Sequence, residues 1–285
     1  MAVVVVALVP RPALGAVTAS PPLRQAVLTY DSRSTATMRE GTLTADGGDR
    51  YAYRSVPGSF DASGPGSNRG ENLRVAFWPA GVPVVADSES CAIWTSQLGR
   101  NTQQGAAFRI RLGGDGRLRA LTVTKNILYG VNWGFNFHTW DTNQRHSYTK
   151  FGAVLADGMK GPDDRALPLP WHFCARTVGS TMEIKVWTTH MREPAWGDPR
   201  FGGKVAIPAG WEASGTTGWY VGHVPAGGWA EFDDLRTWRY QLTEPVDRPT
   251  EPTGRTAGAV SAASAGGAAT TSPTTAPSAL DPAPA

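Results

Sequence analysis

Charge, cysteine and helix-forming runs are all scarce in this chain. Only 18% of its 285 residues are charged, and it has 2 cysteines. No long run of Ala, Leu, Glu and Lys occupies its middle, so long helices are not expected there. The apolar run at residues 3–9 is far too short for a membrane span, and no other candidate follows, so stable membrane insertion is not expected. There is no HExxH and no histidine pair at i, i+4, and His172, His190 and His223 are scattered, which argues against zinc. His172, next to Cys174 along the chain, is expected on the opposite face of its strand. A GxSxG nucleophile elbow is missing. The glycine clusters "GSNRG" and "GGDG" are turns that precede no helix, so nucleotide phosphates have no cradle.

Turn residues and aromatics, by contrast, are plentiful: Gly 33, Pro 22 and Trp 11. That composition suits turn-rich β structure. The net charge of +3 is weak. Arginines are spread along strands and turns instead of being clustered, so nucleic acid is not an expected partner.

Residues 1–19 carry a short apolar stretch and small residues before Ser20, the pattern of a secretory signal. Residues 244–285 have no aromatic side chain and many Ala, Pro, Ser and Thr, which predicts a disordered tail. Between them, residues 20–243 leave roughly 225 residues, enough for one large β-sandwich. An even cysteine count in an exported chain points to one disulfide, Cys91–Cys174, with two separate buried thiols as the alternative.

Short strands separated by turns fill the middle. Residues 58–70 show no apolar period and are expected to be loop. In "AAFRIRL", Phe108, Ile110 and Leu112 alternate with Arg109 and Arg111, which predicts outward-pointing arginines. "NWGFNFHTW" puts Trp133, Phe135 and Phe137 on one face and Asn132, Asn136, His138 and Trp140 on the other. Met182, Ile184 and Val186 oppose Glu183, Lys185 and Trp187. Phe232 and Leu235 have opposite parity, so burying both needs a bulge near Asp233 and Asp234.

The polar and aromatic faces carry the candidate chemistry. A sugar presents C–H patches that stack on tryptophan and hydroxyls that bond amides, carboxylates and imidazole. Asn136, His138 and Trp140 offer these along one strand, and Trp78 and Trp187 are further platforms. The bland alternative is an outward face covered by a loop. Asp233 and Asp234 offer hard oxygen ligands suited to Ca2+.

The stretch "GSTMEIKVWTTHMREPAW" with "GWYVGHVPAGGWAEFDDLRTW" resembles the C-terminal half of concanavalin A-like (laminin-G-like) jelly-roll domains of bacterial and phage surface proteins. The matching positions include Gly179, Lys185, Trp187, Glu193, Pro194, Trp196, Gly218, Gly222 and Phe232–Leu235. The resemblance implies an all-β jelly-roll sandwich of two antiparallel sheets, secreted and monomeric. It implies a non-catalytic domain that binds a polysaccharide or cell-envelope glycan through a shallow groove, with Trp140 or Trp187 stacking and Asn136, His138 and Glu183 bonding. A glycan-degrading hydrolase of the same fold is the second reading, with Glu183, Glu231 and Asp233 as its only acids. A structural or adhesion domain with a surface protein as partner is the third. The family's "E-x-D-x-x-E" pattern is incomplete here. The resemblance also gives the final-strand aspartates a structural role as the alternative to calcium.

Overall fold

The structure, a computed structural model, describes residues 23–34, 36–65, 72–126 and 132–243. The expected signal at 1–19 and tail at 244–285 lie outside them. The strands are β1 (Leu23–Asp31), β2 (Met38–Thr44), β3 (Ala52–Val56), β4 (Ser59–Ser63), β5 (Arg74–Pro79), β6 (Ser88–Leu98), β7 (Gln103–Leu112) and β8 (Leu118–Lys125). They continue with β9 (Gly134–Asp141), β10 (Tyr148–Leu155), β11 (Trp171–Val178), β12 (Thr181–Thr188), β13 (Gly202–Ala206), β14 (Thr216–Gly222) and β15 (Trp229–Thr243).

The strands form a jelly-roll sandwich. Sheet A runs β13-β12-β11-β6-β15-β4-β3, with β1 on the later half of β15. Sheet B runs β10-β9-β8-β7-β14-β5-β2. Period-two alternation sends one face of each strand between the sheets. Phe60, Phe77, Trp94, Phe135, Phe137, Phe173, Trp219 and Phe232 meet there and are buried. Phe60 stacks on Phe77 at 4.1 Å between ring centroids, and Trp94 meets Phe173 at 4.4 Å. Each such ring removes a large apolar surface from water, so this layer is the main stabilising element.

Two expectations need correction. The loop expected at 58–70 contains strand β4, because Phe60 and Ala62 alternate into the core. One aromatic residue between Gly58 and Gly64 is too short a signal to show as a period. The alternation of "AAFRIRL" also fails. The β7–β8 register shifts between Phe108 and Arg111, and Arg109 takes a left-handed φ of 49°. Phe108 faces the inter-sheet core while Ile110 faces the outer side of sheet B. Arg109 is 2% exposed, and Leu112 is exposed. The bulge expected near Asp233 is present: β15 shifts register against β6 between Asp233 and Arg236, and both Phe232 and Leu235 are buried.

Sheet B curls over its own outer face. β2 and β8 stand four places apart in the strand order, yet a Cβ on Gly41 of β2 would lie 2.8 Å from Leu118 Cδ2 of β8. The curl encloses a small second core of Leu43, Ala76, Trp78, Ala107, Ile110, Leu118, Ala120, Trp140 and Tyr220. Small residues permit it. A Cβ on Gly218 would stand 2.1 Å from the Phe77 carbonyl oxygen and 2.8 Å from Trp78 Cβ. Gly218→Ala is therefore expected to push β14 from β5 and cost roughly 1–3 kcal/mol. Urea unfolding measures this, and an unchanged midpoint would mean that the strands adjust without strain.

Candidate functional site

The expected site residues fall on opposite faces of the sandwich. Asn136, His138 and Trp140 alternate on β9 and lie on the outer face of sheet B. Glu183 and Trp187 lie on the outer face of sheet A, with Met182, Ile184 and Val186 turned into the core. The structure therefore brings the first three together and separates them from the other two.

On sheet A, cross-strand partners use up the functional groups. His172 opposes Trp187 and stacks on it at 5.1 Å with an interplanar angle of 9°. Glu183 is 7% exposed, and Arg176 donates to its Oε2 at 2.8 and 3.0 Å. The loop carrying Glu193–Trp196 covers this region, with Lys185 Nζ donating to Pro194 O at 3.2 Å and Trp196 4.1 Å from the Arg176 guanidinium. Cys91 and Cys174 are directly opposite on β6 and β11 and form the disulfide. His172 lies with Cys174 on this outer face, contrary to expectation, because residues two apart share a face.

Of the hydrolase acids, Glu183 and Glu231 do not converge. Through the strand register, Glu183 belongs to the row of Glu89 on β6, and Glu231 to that of Ser96. Those rows are seven residues apart, roughly 23 Å at the rise of a strand. Retaining hydrolysis needs its carboxyls about 5 Å apart. Glu231 accepts from the Ser96 hydroxyl, and its cross-strand neighbour Asp61 is paired with Arg54.

Asp233 and Asp234 flank the bulge. Asp234 has a φ of 53°, donates its backbone N–H to Gly58 O at 2.8 Å and pairs with Arg236. A calcium ion takes roughly six to eight oxygens. Asp233 and Asp234 carry four carboxylate oxygens between them, so an ion there would need further oxygens, and the Arg236 paired with Asp234 also reaches Asp31 at 3.6 Å. Among the described residues, the one cluster of three potential metal-ligand side chains is Glu89, Cys91 and Cys174, and the disulfide occupies both sulfurs.

Sheet B holds a cleft of about 200 Å³, lined by Asn136, His138 and Trp140 together with Arg74, Gln103, Tyr148, Lys150 and Tyr220, among others. Trp140 forms its floor, not an open platform. It is 2% exposed, and its Nε1 donates to Thr122 Oγ1 at 2.8 Å. The accessible ring is Tyr148 on the edge strand β10, directly opposite Trp140 in the register, 45% exposed and 5.1 Å from the indole. The Arg74 guanidinium lies 5.5 Å from the Tyr148 ring centroid and 6.0 Å from that of Trp140. Tyr220 donates to Gln103 Oε1 at 3.0 Å.

His138 is incompletely bonded in the cleft. Its Nδ1 is buried without a hydrogen-bond partner, as is Thr124 Oγ1 on the adjacent strand β8. Burial, helped by the positive charges of Lys150 and Arg74, pushes the imidazole down to about 4. It is thus neutral at pH 7, with one donor and one acceptor nitrogen. A folded-state value below the unfolded one means that the unfolded chain binds the proton first. The stability from neutral His138 is complete above about pH 6.5 and is lost as pH falls towards 4, by about 3 kcal/mol at most. Comparing His138→Gln with the parent by urea unfolding at pH 7 and pH 4.5 checks this. An equal pH slope in both proteins would remove His138 as its source.

Tyr148, Lys150, Arg74 and Gln103 were not singled out from the sequence. "YTK" alternates Tyr148 and Lys150 on one face, but only the register puts them opposite Trp140 and His138.

No family model matches the chain, and no curated protein matches it. Solved structures do. A Bacillus subtilis protein of unknown function with a galectin-like fold superposes with a TM-score of 0.50 at 10% identity, over 78% of this chain and 100% of that one. Carbohydrate-binding module CBM66 from Bacillus subtilis gives 0.40 at 12% identity, over 70% and 94% of the two chains. The CBM2 module of the evolved Dit of Lactobacillus casei phage J-1 gives 0.45 at 8% identity, over 78% and 99%. At such identities the likeness is one of fold: the chain is a two-sheet jelly-roll β-sandwich similar to the galectin-like one.

Proposed function

We propose that this sandwich is an exported, non-catalytic carbohydrate-binding domain that seats a sugar ring of a surface polysaccharide in the curled face of sheet B. One observation carries the reading. An exposed aromatic ring, Tyr148, stands beside a half-buried Asn136 and a neutral, half-buried His138. A sugar's C–H face stacks on the ring, and its hydroxyls meet the amide and the imidazole. The cleft is smaller than usual ligand pockets of roughly 300–1,000 Å³, so it suits one ring, with the rest of the chain outside. The disulfide supports export to an oxidising compartment. No helix of the described residues is long and apolar enough to cross a membrane.

Affinity electrophoresis against a panel of neutral and acidic polysaccharides tests this. Tyr148→Ala is expected to weaken binding roughly tenfold through loss of the stacking surface. Trp187→Ala on the opposite sheet is expected to leave binding unchanged. The reverse result would move the site to sheet A, and no retardation by any polymer would end the carbohydrate reading.

A further inference from the structure

The charge around the cleft narrows the ligand class. Among the described residues, the cleft lining includes two cations, Arg74 and Lys150, and no aspartate or glutamate. Arg74 donates to His223 Nε2 and Thr44 Oγ1, each at 3.0 Å, and to the Asn72 carbonyl at 3.3 Å. Lys150 is exposed and lies opposite His138 in the β9–β10 register. Among the described residues neither cation makes an ion pair. A site for a neutral sugar has no use for two cations that meet no carboxylate among the described residues.

The positive field continues past Tyr148. That ring also borders a neighbouring cleft lined by Arg119, Asp141, His146 and Trp211. There Arg117 and Arg119 share the single carboxylate of Asp141, and Arg111 stands directly opposite Arg119 across β7 and β8. Like charges in that position destabilise a strand pair. The burial of Arg111, with Arg119 and Arg117 near it, holds its guanidinium below the usual value. Three arginines against two acids, Asp141 and the nearby Asp115, leave an excess of one positive charge on the second side of Tyr148.

We propose that the sheet B cleft selects an anionic polysaccharide, whose ring stacks on Tyr148 while its carboxylate or sulfate group sits between Arg74 and Lys150. The next acidic unit along such a chain would meet the Arg117–Arg119 cluster. This rests on the carbohydrate reading and adds the charge of the ligand. The shared chemistry is a sugar ring bearing a negative group, and the two possible groups are separable by probe.

The test uses the full chain and three polymers: polygalacturonate, the same polymer with its carboxyls reduced to alcohols, and dextran sulfate. Binding is measured by affinity electrophoresis and titration calorimetry at 20 mM and 200 mM salt. Polygalacturonate or dextran sulfate is expected to bind at least tenfold more tightly than the reduced neutral polymer, with affinity falling at higher salt. The better of the two acidic probes identifies the group as carboxylate or sulfate. Lys150→Glu is expected to remove roughly tenfold of that binding, and because Lys150 is exposed the variant should fold. Tyr148→Ala is expected to weaken it as well. If the neutral polymer binds as tightly as the acidic ones in a Tyr148-dependent way, the anionic inference falls and the carbohydrate reading stands. If acidic binding survives Lys150→Glu unchanged, the cleft is not where the anion sits, and the inference also falls. If neither acidic polymer binds, the anionic inference falls, and the carbohydrate reading falls with it only when the wider panel of polysaccharides shows no retardation either.

Discussion

Replacing both Cys91 and Cys174 by alanine is expected to lower stability by about 4.5 kcal/mol, the loop-closure value for a bridge between residues 83 apart in sequence. The effect lies mainly in the unfolded chain. Cys91 and Cys174 already oppose each other on β6 and β11, so the sheet needs no rearrangement to hold them. Without the bridge, the unfolded chain regains the freedom of that whole segment. Urea unfolding of the double variant, and of the parent with and without reductant, reads the loss as a shift in midpoint at unchanged native spectra. A change below about 1 kcal/mol would show that the bridge does little to the unfolded ensemble.

The second large effect is expected at Arg109. Its guanidinium joins three separate segments at one end of the sandwich. Nε donates to Ala86 O at 3.1 Å, Nη1 to Trp211 O at 2.8 Å and Nη2 to Gly179 O at 2.7 Å. Ala86 O keeps a second donor, the Thr177 hydroxyl at 2.8 Å. Arg109→Met keeps most of the stem's volume but strips the other two carbonyls of a charged donor, each such bond contributing about 1.5–3 kcal/mol. The expected loss is about 3 kcal/mol by urea unfolding. Arg109→Lys should recover part of it, since one ammonium reaches fewer of the three acceptors than the planar fork. A Met variant within about 1 kcal/mol of the parent would mean that water replaces the guanidinium at no cost.

Arg109 also shows where pattern reading stops. Alternation in "AAFRIRL" is a statement about parity, and a single left-handed residue resets parity for everything after it. Nothing local marks Arg109 for that conformation, because the three carbonyls that hold it come from distant loops. The bulge at Asp233 was legible for the opposite reason. Phe232 and Leu235 are both strongly apolar, so their conflicting parity was visible in the sequence itself.

Composition and alternation determined the class of this protein: an all-β chain whose apolar faces, such as Phe135 with Phe137 and Met182 with Ile184, can only be buried between two sheets. They also placed Asn136, His138 and Trp140 on one side of one strand, since period two is a property of the strand alone. Only the tertiary structure decided which strands lie beside one another. It put Glu183 and Trp187 on the opposite face from Trp140, separated Glu183 from Glu231, and closed Cys91 onto Cys174. It buried Trp140 and raised Tyr148 over it, with Arg74 drawn in from β5. Register and sheet order depend on contacts between residues far apart in the chain, and sheet curvature depends on where small residues such as Gly218 let strands approach. Neither leaves a local trace, so the neighbours that make a site from one strand's polar face come only with the fold.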